Sequence, residues 1–353
     1  MTNFGFQAGV GSSSPTGVQS VTGLNTDNSD PENPIIEISV DGTTITGLGT
    51  PASPLIASAQ SLGGENYIFV NSDGTADENG LAFYNAYQLA KTLTPNGAAI
   101  SSTNQVTIVL APGIYTYGTL PIFSVILDTQ WINVTSLTSQ PDVVIDSSPS
   151  LDALNVQANN VKITGIKTSN YITVLTDTGS TFANCIAGDY SFGSLGSTVL
   201  GTYVNCVAGQ YSFGGGPSTA SGIFINCSGG LYSFGSEAIA SGYFRDCFGE
   251  FASFGGGVGA IASGTFINCS GEINCFGFTF TGIAYNCIST DESFGWFQNN
   301  GICYSCISNG DSYKMNNGYL YYCRLITGTF ATITGTGKII LGIDGNNNVQ
   351  NLG

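Results

Sequence analysis

The chain has 353 residues, including 49 glycines and no histidine, and its 23 acidic residues outweigh 7 basic ones for a formal charge of −16. So few cations exclude a phosphate-reading surface of the kind nucleic-acid binding needs. No apolar run reaches the roughly 18 residues of a membrane-spanning helix, so neither a nucleic acid nor a membrane is an expected partner. Only 8% of residues are charged against 42% hydrophobic, a balance that suits a long β-structure dressed in hydroxyls and amides.

Residues 1–58 form a distinct segment. Val21-Thr22-Gly23-Leu24 is echoed by Ile45-Thr46-Gly47-Leu48, and Asn33-Pro34-Ile35-Ile36 by Ser53-Pro54-Leu55-Ile56. Two short units rich in Gly, Pro and Asp cannot build a core alone. They predict a β-rich anchoring or oligomerisation segment that intertwines with partner chains; a disordered linker is the alternative. Met1 to Gly17 has no basic residue and no apolar stretch, so no secretory signal is expected there.

Residues 59–104 open the main fold. Tyr67 to Val70 predicts a strand, and Leu81 to Leu93 an amphipathic helix with Leu81, Tyr84, Ala86, Leu89 and Leu93 on one face. Asp77 or Asn79 would cap its N-terminus, and Lys91 falls in its last turn. Asp73, Asp77 and Glu78 lack a complete calcium-loop spacing, so they are assigned to turn and capping.

From residue 105 to 345 the chain is read as coils. Val106 to Leu110, Val125 to Leu127, Trp131 to Val134, Val143 to Ile145, Leu154 to Val156 and Val161 to Ile166 are short strands, with a turn at Ala111 to Tyr115. A strict repeat then begins near Ser180. Its backbone is a cysteine ladder, Cys185, Cys206, Cys227, Cys247, Cys269, Cys287, Cys306 and Cys323, with gaps of 17 to 22 residues. Glycine stands five residues before all but the first cysteine. Asn or Asp stands one before most, and Phe seven after most. The Cys-to-Phe distance never varies, so all length variation falls in one loop of the coil. Such a period is the signature of a solenoid in which like residues stack on like. About 12 coils would make a rod of about 55–60 Å at one strand spacing per coil. Lys338 to Leu341 is a last strand, and residues 346–353 a polar tail.

Regular spacing marks the cysteines as stacked core fillers carrying free thiols. With no histidine and no convergent ligand set, neither a metal nor another cofactor is expected.

The run Thr107-Ile108-Val109-Leu110-Ala111-Pro112-Gly113-Ile114-Tyr115, following a strand, an Asp-Gly-Thr and a helix, resembles the opening of pectin-lyase-like right-handed parallel β-helices, as in bacteriophage tailspikes. The asparagines before the cysteines resemble the bonded asparagine ladder of that fold. Thr46-Gly47-Leu48-Gly49-Thr50-Pro51-Ala52-Ser53-Pro54-Leu55 is similar to short repeats in phage fibre and tail proteins. The resemblance implies an all-β right-handed parallel β-helix over residues 65–345. It further implies a virion location and a structural role: a homotrimeric phage fibre, spike or capsid decoration protein. Such a chain would attach to host-surface polysaccharide and be anchored to a virion protein through residues 1–58.

Some proteins of this fold are polysaccharide depolymerases, so carboxylates are weighed against that activity. Glu250 and Glu272 occupy the same coil position in successive repeats and Asp291 would lie one coil further on, a geometry open to glycoside hydrolysis. Solvated acids on a low-charge solenoid are the competing reading, and it leaves the chain without a catalytic residue. Tyr285, Tyr304, Tyr321 and Trp296 are candidates for glycan contact, as outward aromatics that could equally pack between subunits.

Strict alternation after each cysteine points the serine of the Ser-Phe-Gly motif inward and Phe192, Phe213, Phe234, Phe254, Phe276 and Phe294 outward, while a turn between these positions would reverse that and face the phenylalanines to the core. Exposed, that stripe would demand an interface, which three rods side by side would supply.

Overall fold

A computed structural model describes residues 66–117, 124–147, 152–168, 171–175, 177–193, 196–295, 297–309, 313, 317–327, 329–330 and 337–352, with strand residues 25–27, 35–40, 43–46 and 56–59. Among these residues the protein is a parallel β-solenoid carrying one α-helix, Ala76–Ala90 (α1), and one short 3-10 turn, Pro95–Gly97.

One coil illustrates how the repeat folds. In Ile223–Ile225, Phe224 points in and its β-branched neighbours point out. Asn226 then adopts φ 51°, a left-handed conformation that asparagine tolerates better than most residues, and bends the chain. Cys227 enters the core, and Ser228–Gly229 forms the second strand. Tyr232 (φ 57°), Phe234 (φ 53°) and Gly235 (φ 73°) make the next corner, and Ile239–Ala240 is the third strand, with Ala240 inside.

Each strand pairs in parallel with its counterpart one repeat later, as in Ile223↔Tyr243, Phe224↔Phe244 and Ile225↔Arg245. Eleven successive pairings carry this first column from Val106–Leu110 to Lys338–Ile343, twelve strands in all. The strictly repeating part is the eight turns of the cysteine ladder. Glycine recurs five residues before the cysteine because coils touch there. A Cβ at Gly222, Gly242, Gly264 or Gly282 would stand 2.2–2.3 Å from the carbonyl oxygen of the glycine one coil below.

The core is a set of axial columns. The eight ladder thiols are free and buried, as expected, most donating to the carbonyl two residues back and one a coil below, as Cys227 does to Ile225 and Tyr203, both at 3.4 Å. The asparagine column is bonded as expected: Asn205 donates to Asn184 at 2.9 Å, Asn226 to Asn205 at 3.0 Å, Asn268 to Asp246 at 3.0 Å and Asn286 to Asn268 at 3.3 Å.

The phenylalanine stripe is the main correction. Phe192, Phe213, Phe234, Phe254, Phe276 and Phe294 are fully buried, not outward. They stack at 4.7–5.1 Å, edge-on to a second column containing Phe182, Tyr203, Phe224, Phe244 and Phe266. The cause is the backbone. Left-handed residues on both sides of the serine, five and seven after the cysteine, break the alternation of an extended strand, so serine and phenylalanine both point in. The buried serine hydroxyls accept from the coil below, as from Ser191 N to Ser212 Oγ at 3.2 Å. The outward stripe on which the expected trimer rested is therefore absent.

Both ends of the column are covered. Helix α1 begins earlier than expected. Its N-cap is Thr75, with Glu78 completing a capping box, not Asp77 or Asn79. Its buried face is Ala82, Phe83, Ala86, Tyr87 and Ala90, while Leu81, Tyr84 and Leu89 are only partly covered. Gly80 lets the helix meet the neighbouring strand, since a Cβ there would stand 2.0 Å from the Thr116 carbonyl oxygen. Gly113–Thr116, read as a turn, is a strand. The described strands of the first segment form an antiparallel meander leading to Asn66–Val70, while most of residues 1–58, including Val21 to Leu24, lies outside the described residues. At the other end the polar tail turns on Asp344, which accepts from the Asn346 and Asn348 amides at 2.9 and 2.8 Å. Val349–Leu352 then pairs back antiparallel on Lys338–Ile343.

Candidate functional site

The candidate residues sit on the outside of the coils, placed there by the same registers that build the core. Gly249 pairs with Gly271, so Glu250 and Glu272 are in register, one strand spacing of about 4.8 Å apart along the backbone. Their main chains are tied down: the Glu250 carbonyl accepts the Cys275 thiol at 3.0 Å and the Glu272 carbonyl accepts Ser289 Oγ at 3.1 Å. Glu250 is half-buried and Glu272 exposed. Asp291 does not continue this pair. It lies opposite Ile273, one residue further along the strand, and its Oδ1 accepts the Glu292 amide at 2.9 Å. Asp291 stands four residues after its cysteine whereas the two glutamates stand three after theirs, so it is offset by one residue from their column.

Glu250 also borders a shallow cleft of about 390 Å³ that sequence reasoning missed. Gly209, Gly229 and Gly230 lie along it, between Asp189 and Glu250. Asp189 is held by the next coil, its Oδ1 accepting the Gln210 amide at 2.9 Å and its Oδ2 the Gln210 side chain at 3.1 Å. A Cβ on Gly209 would stand 1.9 Å from Asp189 Oδ1, so glycine is required for this contact. The legible signal was small residues at one coil position in successive repeats. Asp189 and Glu250 are three coils apart, roughly 14 Å, beyond the roughly 6.5–9.5 Å of an inverting pair. Their carboxylates can accept hydroxyl hydrogen bonds independently.

Tyr285, Tyr304 and Tyr321 form a single outward row, with centroids 4.9 and 4.7 Å apart and planes within 4° and 11°. Partial desolvation, then the neighbouring phenols, push Tyr304 above its ordinary pKa. Each ring face in the middle of the row is spent on its neighbour, so the row offers edges and hydroxyls to a partner. Stacking on a sugar ring requires an open face. Tyr190, Tyr211 and Tyr232 make a second such row, spaced at 5.1 Å. Trp296 lies outside the described residues; the adjacent Phe297 stacks on Phe278 at 4.7 Å. Among the described residues no group of three or more potential ligands could hold a metal ion.

Comparison with family models, curated proteins and solved structures finds no match for the chain.

Proposed function

We propose that the chain is a structural virion appendage, a bacteriophage fibre, spike or capsid decoration protein that serves in attachment to a host surface. It acts as a homotrimer, anchored to the particle through residues 1–58. The observation that carries this reading is the axial core. Thiol and phenylalanine columns run through successive coils without a break in register, which makes a stiff spacer of fixed length. The likeness of residues 46–55 to short repeats in phage fibre and tail proteins supports the same role. Surface polysaccharide is the ligand class suited to the glycine-lined cleft, where Asp189 and Glu250 would accept sugar hydroxyls. Imaging of the native particle with an antibody against the chain tests the proposal. Label on a fibre, spike or capsid surface is expected, and label confined to the host cytoplasm overturns it.

The in-register glutamates favour one second reading, a polysaccharide depolymerase. Release of reducing ends from host polysaccharide, abolished by Glu250→Gln combined with Glu272→Gln, would establish it. Intact polysaccharide after prolonged incubation would remove it.

A further inference from the structure

The outward side of the first two strands differs from the rest of this acidic protein. Three columns define it: the residues four before, two before and one after each ladder cysteine, continued one rung at each end to Lys162 and Lys338. Ten rungs give thirty positions, and none is aspartate or glutamate, although acids outnumber cations 23 to 7 in the chain. Five of the seven cations are here: Lys162, Lys167, Arg245, Arg324 and Lys338. Eighteen of the thirty are Ile, Val, Tyr or Phe, and all but Thr164 are at least partly exposed. Ile223 is 44% exposed and Ile288 49%.

We infer that this face is a self-association surface that seats a second copy of the chain lying alongside it. The inference rests on the assembly reading above and assigns the surface responsible. Nine coil spacings by five residue steps give an area of about 700–800 Å², near the roughly 800 Å² per partner of a stable interface. A straight face with one rung per coil is matched along its whole length by a rod of the same rise, which another copy supplies. Charge points the same way. Two copies at −16 repel through acid-bearing surfaces, whereas a face carrying five cations, with the single acid Asp246 paired to Arg245 at the corner between its strands, can meet the acidic edge of a neighbour at Asp189, Glu250 and Glu272. Contact between two different faces is heterologous, and rotation closes it into a ring, a trimer included. Tyr285, Tyr304 and Tyr321 belong to this face, which gives their edge-out row a partner.

The test is molar mass in solution, by light scattering at tens of micromolar. The unaltered full chain should be oligomeric. Ile267→Asp combined with Tyr304→Asp should give a monomer with unchanged far-UV circular dichroism, while Ile239→Asp, outward on the third strand, should keep the native mass. Should the double variant lose its fold, Arg245→Glu with Lys338→Glu should weaken association about tenfold or more at low salt, with recovery at high salt. An oligomer whose mass and affinity survive all face variants overturns the surface but leaves the assembly reading standing. A monomeric unaltered chain overturns both.

Discussion

Replacing Phe234 by alanine tests the corrected core directly. Its ring is fully buried, 4.8 Å from both Phe213 and Phe254 with planes within 3° and 8°, and edge-on to Phe224 and Phe244 at 5.6 and 5.9 Å. Buried Phe→Ala changes cost about 3–5 kcal/mol. Aromatic pairs add about 0.5–1.5 kcal/mol each beyond area burial, so the upper end of that range, about 4–5 kcal/mol, is expected here. The backbone supplies a second signature. At φ 53° a Cβ carries a left-handed penalty of about 1–2 kcal/mol, so Phe234→Gly should be no less stable than Phe234→Ala, despite glycine's greater unfolded-state entropy. Urea unfolding followed by circular dichroism and fluorescence measures both. Because each coil touches only its neighbours, the weakened contact should also split the transition into two steps. A loss below about 1 kcal/mol with a single transition, the behaviour of a surface site, would refute the inward stack.

Asp246 interrupts the amide ladder because it has no amide to donate to Asn226, and its pairing with Arg245 at 3.6 Å is half-exposed and weak. Asp246→Asn should therefore raise stability by about 0.5–1 kcal/mol in the same urea assay; a decrease would show the ladder contributes nothing there. All eight ladder thiols are buried out of reach, so a thiol-specific chromogenic reagent should titrate none of them in the folded protein and all of them after unfolding. Rapid reaction under native conditions would mean the core opens. Burial, with the hydrogen bond to Asp128, pushes Tyr87 up to about 12, so folding favours its neutral phenol. That contribution is fully present below the ordinary value near 10 and is lost as pH rises through about 12. The stability gap between the unaltered chain and Tyr87→Phe should hold constant up to about pH 10 and shrink toward pH 12; a gap that widens would contradict the sign.

Much of this architecture was legible because a solenoid writes its coil into the sequence many times. The columns of Cys and Asn and the loop that absorbs all length variation follow from position-specific repetition alone, and the strand runs from Val106 to Ile166 from short β-branched stretches. Alternation failed at the Ser-Phe-Gly corner, since nothing in the residue types announces that Tyr232 and Phe234 both take positive φ. The Thr75-x-x-Glu78 capping box was present as a pattern, yet the phase of α1 is set by what it covers. Phe83 and Tyr87 reach the open end of the coil, and Tyr87 finds the Asp128 and Thr129 amides at 2.8 and 3.0 Å. Asp291 does lie one coil beyond Glu272, but opposite Ile273, one residue further along the strand than the glutamate column.

The sequence by itself determined the period, the buried cysteine column and the parallel stacking, because each coil must bury the same residues against the next. Which way the phenylalanines point was decided only in three dimensions, through backbone dihedrals at one corner. So was the gathering of five dispersed cations on one outer face. That second feature is invisible along the chain because its members, from Lys162 to Lys338, become neighbours only when the coils are stacked in register.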